Sequence, residues 1–142
     1  MQMLKSTDEL LEALSGSETI DDYLDNYSES INAGDVNIRL NMILDKRKLD
    51  KRRVIKSAQM SEVYGYQIFS GTRKAPSRDK ILALLIAMGL GYDEIQQFFK
   101  ETGYPPLYAK SKRDSIIIFC INKRMNVGEI NKELFRCEEI AL

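Results

Sequence analysis

Residues 50–71 are DKRRVIKSAQMSEVYGYQIFSG, and this stretch decides the fold. Asp50 can cap one helix, Ser61 can cap the next, and Gly71 offers the left-handed conformation that ends the second helix. A turn is expected at residues 59–60, between the two helices. The pattern predicts two short helices on either side of a tight turn. In DNA-binding proteins with this arrangement, one helix enters the major groove while the other crosses the phosphate backbone.

Although the formal net charge is zero, acidic and basic residues are concentrated in different parts of the chain. Residues 1–35 carry one base and nine acids, a net charge of −8, whereas residues 36–80 carry twelve bases and four acids, a net charge of +8. Residues 81–142 carry eight of each. Because Lys and Arg release counterions when they neutralise phosphates, the local charge of a surface matters more than the total. The middle segment is therefore predicted to bind nucleic acid, whereas the acidic segment is not.

The composition argues against an enzyme. The chain has 142 residues, 44% of them apolar, which is enough for one domain with a single core. Histidine is absent, which removes the commonest general base and the commonest neutral metal ligand. The sequence has no Walker loop, GxGxxG motif, nucleophile elbow or metal-ligand cluster. We expect no catalytic activity and no cofactor.

Neither a membrane location nor a disulfide is expected. No apolar run approaches the roughly 18 residues that a membrane span requires, and the acidic N-terminus is unlike a signal peptide. The sequence thus predicts a cytoplasmic protein with no membrane partner. Cys120 and Cys137 lack CxxC spacing and lie in apolar surroundings, so packing is favoured over a disulfide or a metal site.

Residues 1–35 are predicted to form an acidic helical arm. Its first helix starts at a cap on Ser6 or Thr7, its second starts at Thr19, and the break at 32–35 ends it. We expect the apolar side of the arm to pack on the rest of the protein rather than to mask the basic face. That side consists of Leu10, Leu11, Leu14, Ile20, Tyr23, Leu24, Tyr27 and Ile31.

Residues 36–102 are predicted to form five helices with short links. The first ends in the basic run 46–48, the two helices of 50–71 follow, the fourth is capped by Ser77 and stops near Gly89 and Gly91, and a fifth completes the set. Apolar residues at helical spacing are expected to face inward: Leu40, Ile43, Leu44, Val54, Ile55, Ala58, Ile81, Leu84, Leu85, Met88, Ile95, Phe98 and Phe99.

Residues 103–142 are predicted to be a helical extension packed on this core. The prolines make 104–108 irregular. The run 116–121 has the composition of a buried strand, but no second such run exists to pair with it, so we expect a central helix from about Ser111, buried on most sides. Asn126 and Glu129 can cap a last helix, whose apolar residues are Val127, Ile130, Leu134 and Phe135. The fold class is therefore all-α.

The stretch from about Leu40 to Glu101 resembles the phage-repressor-like (Xre, Cro-type) helix-turn-helix family. The resemblance is carried by Leu40, Leu44, Asp50, Lys51, Ser61, Ile68, Gly71, Arg73, Pro76 and Ser77. The whole chain, with YQIFSGTRKAPSRDK and YPPLY, further resembles a branch of that family in Gram-positive bacteria. The resemblance implies a lambda-repressor-like five-helix bundle with added N-terminal and C-terminal helices. It also implies a transcriptional repressor, usually dimeric, that recognises DNA through its third helix.

The chain departs from the family pattern at three positions. The family commonly has a glutamine where this chain has Lys51, and an acid where it has Phe69. Gly65 stands where a core aliphatic residue is usual, and by propensity alone it costs the recognition helix about 1 kcal/mol relative to alanine.

Carried over onto this chain, the resemblance implies a set of DNA contacts. Lys51 would lie at the phosphate-contacting start of the second helix, and Arg73 and Lys74 would hold the flanking phosphates. In the major groove, Gln67 would pair with adenine and Glu62 would accept from cytosine. The predicted DNA-binding residues are Lys51, Arg52, Ser61, Glu62, Val63, Tyr66, Gln67, Arg73 and Lys74.

Two other interpretations stay open. Tyr64, Tyr66 and Phe69 can be core aromatics, with the basic cluster serving as a solvated face. The helices can also form a protein–protein interaction module, whose basic face is masked by the acidic arm or binds an acidic partner. Double-stranded DNA is thus the predicted partner, and a homodimer or a protein bound through the arm is an alternative.

Overall fold

The computed structural model describes residues 5–26 and 35–142, and within these ranges all regular secondary structure is helical. The all-α prediction is confirmed. The expectations for Tyr27, Ile31 and the break at 32–34 lie outside the described residues. In chain order, the helices are α1 Thr7–Gly16, α2 Ile20–Asn26, α3 Val36–Lys46, α4 Lys51–Ser57, α5 Glu62–Ser70, α6 Arg78–Ala87, α7 Tyr92–Thr102, α8 Lys112–Asn122 and α9 Val127–Arg136.

Seven of the nine helices in the described ranges begin at a cap that the sequence predicts. In each case a side-chain oxygen accepts a backbone N–H of the first turn and satisfies a donor that has no partner within the helix. At the start of α9 the cap is reciprocal, because Glu129 also accepts the backbone N–H of Asn126. Gly71 ends α5 in the left-handed conformation, at φ 82°. The capping residues are Ser6, Thr19, Asp50, Ser61, Ser77, Ser111 and Asn126.

A single hydrophobic core extends from α3 to α9. Its innermost helix is α6, on which every residue from Ile81 to Leu85 is buried. The same cluster includes Ile117 and Cys120 of α8 and Ile130 of α9. Residues 36–102 and 103–142 therefore share one core. The position of α6 follows from its composition, since five consecutive apolar residues leave the helix no polar side.

The prediction for the run 116–121 is wrong in detail. The run 116–121 is indeed helical, as part of α8, but α8 is not the central helix and Phe119 is 55% exposed beneath Lys123. On α9, the exposed fraction of Phe135 is 83%. Both phenylalanines lie on the side of their helix that faces away from the common core, whereas Ile117 and Ile130 are fully buried.

An ionic network fixes the irregular segment 104–108. The guanidinium of Arg78 pairs with both carboxylate oxygens of Asp114, at 2.6 and 3.1 Å, and also donates to the carbonyls of Pro105 and Pro106. Asp114 is 5% exposed. Burial opposes its ionisation, but the hydrogen bonds from Arg78 and from the Tyr108 N–H outweigh burial and hold its pKa below the usual value.

Most of the described apolar side chains of the acidic arm that we expected to pack are not buried. Tyr23 is buried, but Leu11, Leu14, Ile20 and Leu24 are exposed. The core cluster of α3–α9 contains none of the described residues of the arm. Within the described ranges, 5–26 and 35–142, no helix is both long enough and apolar enough to cross a membrane.

Candidate nucleic-acid interface

Helices α4 and α5 are joined by the four residues 58–61. This turn is held by a contact with α9, near the C-terminal end of the sequence. Gln59 adopts a left-handed conformation, at φ 58°, which is uncommon for a residue with a side chain. Its amide oxygen accepts a hydrogen bond from Asn131 of α9 at 3.2 Å. Gly128 leaves room for the same amide, because a Cβ there would lie 2.8 Å from Nε2 of Gln59. The sequence shows no sign of this brace.

Gly65 lets α5 approach α4 closely. A Cβ built on Gly65 would lie 2.7 and 2.8 Å from Cγ1 and Cδ1 of Ile55, and closer still to its Cγ2. Because Ile55 is fully buried, its side chain has no free space into which it can turn. Gly65 therefore does more than lower the helix propensity of α5. The missing side chain is what permits the close contact between α4 and α5.

The outer face of α5 carries four of the predicted contact residues. Glu62, Val63 and Tyr66 are exposed and Gln67 is half-buried, whereas Gly65, Ile68 and Phe69 face the core. Of the three aromatics in the alternative interpretation, Phe69 is in the core and Tyr64 packs partly buried against it.

For Tyr66, the structure decides against the interpretation as a core aromatic. With 42% of its surface exposed, it is not a core aromatic. Val63, on the same side of the helix, is 69% exposed. Two apolar side chains thus stand on a surface that also carries a carboxylate and an amide, a mixture able to contact both methyl groups and polar base edges.

A cation is held near each end of this face. Nε of Arg52 lies 2.5 Å from Oε1 of Glu62. Beyond the C-terminus of α5, Nη2 of Arg73 donates to Oε1 of Gln67 at 3.1 Å, and its guanidinium lies 4.2 Å from the ring centroid of Tyr64. These contacts join four of the predicted site residues in two pairs. A bidentate contact of Gln67 with adenine would need the oxygen that Arg73 now occupies.

The remaining predicted site residues have distinct surroundings. Nζ of Lys51 lies 5.4 Å from the ring centroid of Phe69, which orients the lysine at the start of α4. The hydroxyl of Ser61 accepts the Tyr64 N–H at 3.2 Å and so serves as the cap of α5. Lys74 is exposed on the link between α5 and α6.

The basic segment does not present all its charge to solvent. Arg39 pairs with Glu101, Arg47 lies 2.5 Å from a Glu94 oxygen, and Arg78 is bound to Asp114. All three acids belong to residues 81–142, so the count of +8 overstates the charge of the surface. The bases of the segment that stay exposed outside these pairs are Lys46, Lys48, Arg52, Arg53, Lys56, Arg73 and Lys74.

The two cysteines are free thiols in different surroundings. Cys120 is fully buried and Cys137 is half-buried at the end of α9. Burial raises the pKa of the Cys120 thiol, with smaller contributions from Glu133 and Cys137. In the part of the chain that the structure describes, no group of three or more His, Cys, Asp or Glu residues is arranged to hold a metal ion.

Compared with protein-family models, with curated proteins and with solved structures, the chain gives no match.

Proposed function

We propose that the protein is a sequence-specific DNA-binding regulator, acting as a repressor, that places the outer face of α5 in the major groove. The observation that carries the proposal is this exposed face, with Glu62, Val63, Tyr66 and Gln67 between Arg52 and Arg73. A helix that presents polar and apolar groups to solvent and is flanked by cations has what groove recognition requires.

The cations would supply affinity for DNA, and the residues on the outer face of α5 would recognise the bases. Arg52, Arg73 and Lys74 would neutralise phosphates on either side of the groove, which supplies affinity for any duplex. Glu62 can accept from the amino group of cytosine, and Val63 can contact the thymine methyl group. The pairing of Arg52 with Glu62 reduces the repulsion between the carboxylate and nearby phosphates.

We extend the proposal to the architecture of α3–α7, which we assign to the lambda-repressor-like arrangement. The supporting features are the order of five short helices, the packing of α5 on both α3 and α4, and the packing of α4 on α6. In this assignment α4 crosses the backbone and α5 is the recognition helix.

Salt-dependent binding to duplex DNA tests the proposal. Fluorescence anisotropy with a generic duplex should show binding at low salt and a steep loss of affinity as salt rises. Arg73→Ala should lower the affinity and reduce the salt slope by about 1, whereas Lys110→Ala, an exposed base remote in sequence from α4 and α5, should change neither. Selection from random duplexes should then return a preferred sequence. Absence of salt-dependent binding, both for the full chain and for residues 35–142, contradicts the proposal.

A protein-interaction module is the second candidate, and one observation favours it. The outer face of α5 exposes Val63 and Tyr66, and the acidic arm exposes Leu11 and Leu14. Exposed apolar groups near charges of defined sign are common features of protein interfaces. Under this alternative the protein fails to bind duplex DNA at any salt concentration, with or without the arm.

A further inference from the structure

Gln67 and Arg73 are hydrogen-bonded side chain to side chain at the C-terminal end of α5. Nη2 of Arg73 donates to Oε1 of Gln67 at 3.1 Å, and the backbone N–H of Arg73 donates to the carbonyl of Gln67 at 3.2 Å. Because a guanidinium carries only donors, the amide atom that faces it has to be the oxygen. The amide nitrogen of Gln67, with its N–H groups, is left for another partner. We infer that Gln67 recognises guanine, and that Arg73 is the positioning residue that imposes this choice.

The guanidinium of Arg73 is held against α5 by more than this one bond. The left-handed Gly71 turns the chain back after the helix, which brings Arg73 beside the last turns of α5. The guanidinium lies 4.2 Å from the ring centroid of Tyr64, and that ring packs against the core. Because Tyr64 and Gln67 are three positions apart, they are neighbours on the helix surface. The ring of Tyr64 therefore supports the guanidinium at the place where it meets the amide.

The four bases differ in what their major-groove edges offer to this amide. Adenine and cytosine each present an amino group, which needs an acceptor. The oxygen of Gln67 has a second lone pair, but it lies beside the positive charge of Arg73, which repels the amino dipole. Guanine presents two acceptors, N7 and O6, and no donor, whereas thymine presents one acceptor. A single nitrogen can donate to both acceptors of guanine, as a lysine ammonium does. Guanine is therefore the base that fits the amide as Arg73 holds it.

The inference rests on the proposed function and makes it specific for one base. Val63 and Gln67 are four positions apart on α5, so the amide shares the side of the helix that would contact thymine methyl groups. The guanidinium of Arg73 has further N–H groups beside the one that Gln67 accepts, and these can bind a phosphate. Arg73 would then connect the DNA backbone to the residue that contacts the base.

Selection of bound duplexes from a random pool, with the full chain and three variants, tests the inference. The position whose preference changes in Gln67→Ala identifies the base that Gln67 contacts, and the natural chain should prefer guanine there. Arg73→Ala releases the amide oxygen, so the preference at this position should change to adenine. Lys74→Ala removes the neighbouring exposed cation and should lower the affinity while guanine stays preferred. A residue that only supports the fold or the affinity would not change the base.

An altered base tests the contact at the level of one atom. In the selected duplex, 7-deazaguanine at this position lacks the N7 acceptor and leaves O6 in place. The substitution should weaken binding of the natural chain about two- to tenfold, the range expected for the loss of one hydrogen bond. It should leave the affinity of Gln67→Ala unchanged. Equal weakening in both proteins overturns the assignment of Gln67 to this base.

The outcomes separate this inference from the proposed function. A selected sequence in which the natural chain prefers adenine at the position of Gln67, or in which Arg73→Ala keeps guanine, overturns the inference and leaves a sequence-specific DNA-binding protein. A selected sequence that Gln67→Ala does not alter at any position has the same meaning. Failure of the natural chain to bind any duplex overturns both.

Discussion

Gly65 of α5 lies so close to Ile55 of α4 that a Cβ on the glycine would overlap the isoleucine side chain. Ile55 is fully buried among core residues of α4, α5 and α6, so it cannot move aside. The separation of the two helices is therefore set at this contact. It also determines where the outer face of α5 stands relative to Arg52 on α4, and the proposed function depends on that geometry.

Gly65→Ala should destabilise the protein although alanine is the better helix former. The propensity gain is about 1 kcal/mol, whereas forcing a methyl group into a filled core typically costs 1–3 kcal/mol and sometimes more. We expect a net loss of up to about 2 kcal/mol in the free energy of unfolding, measured by urea denaturation.

Two comparisons distinguish steric overlap with Ile55 from a general effect of replacing a glycine. Gly91→Ala places a Cβ no closer than 3.9 Å to any neighbour, at Oε1 of Glu94, and should cost less than about 1 kcal/mol. In an Ile55→Ala background the space at the contact is vacant, so Gly65→Ala should become neutral or stabilising. If the cost of Gly65→Ala is the same in both backgrounds, the two side chains do not compete for space.

Gln67→Ala should change which DNA sequence is preferred more than it changes affinity. A bidentate amide contact distinguishes one base from the others by about 1–3 kcal/mol, whereas phosphate contacts by Arg73 and Lys74 are independent of sequence. Selection of bound duplexes before and after the substitution measures the effect. An unaltered preferred site would show that α5 does not read bases through this residue.

Asp114→Asn should destabilise the protein at neutral pH and reduce its sensitivity to acid. Removing one member of a buried ion pair leaves the guanidinium of Arg78 without its counter-charge, at a cost of about 3 kcal/mol. Because the folded-state pKa of Asp114 is lowered, its stabilisation is present above the unfolded pKa, about 3.9, and is lost as the pH falls through the folded pKa.

Urea denaturation between about pH 2 and pH 7, the range over which carboxylates titrate, measures the contribution of Asp114. The natural chain should lose stability more steeply than Asp114→Asn below about pH 4. Glu133→Gln, which alters the exposed pair with Arg136, should change the free energy of unfolding little. Parallel acid profiles for the natural chain and Asp114→Asn would contradict the role assigned to the buried pair.

The two thiols should react at very different rates. Cys120 is fully buried and burial raises its pKa, so little thiolate forms and reagents have no access. Cys137 is half-buried at the end of α9 and should be labelled first. Mass spectrometry after brief exposure to iodoacetamide should show one modification, at Cys137, with a second appearing only under denaturing conditions. Labelling of Cys120 at a comparable rate in the native protein would mean that α8 opens readily.

The sequence predicted most of the secondary structure because the relevant interactions are local. The caps at Ser61 and Ser77 act within one helical turn, and Gly71 ends α5 through its own backbone freedom. For Tyr66 the sequence left both an outward and a core placement open, and the structure exposes 42% of the residue. The sequence did not show that Phe135 is exposed, because apolar character alone does not show whether another helix is present to cover a side chain.

The sequence by itself thus determined that the chain is helical, where its helices start and stop, and which part carries the positive charge. Only the tertiary structure decided which arginines form ion pairs within the chain, since the acids that pair with Arg47 and Arg78 lie 47 and 36 residues away in sequence. It also decided that Gly65 is a contact point and that Gln59 is braced by α9. Capping and periodicity act over one or two turns of a chain, whereas exposure and ion pairing depend on which distant helices pack together.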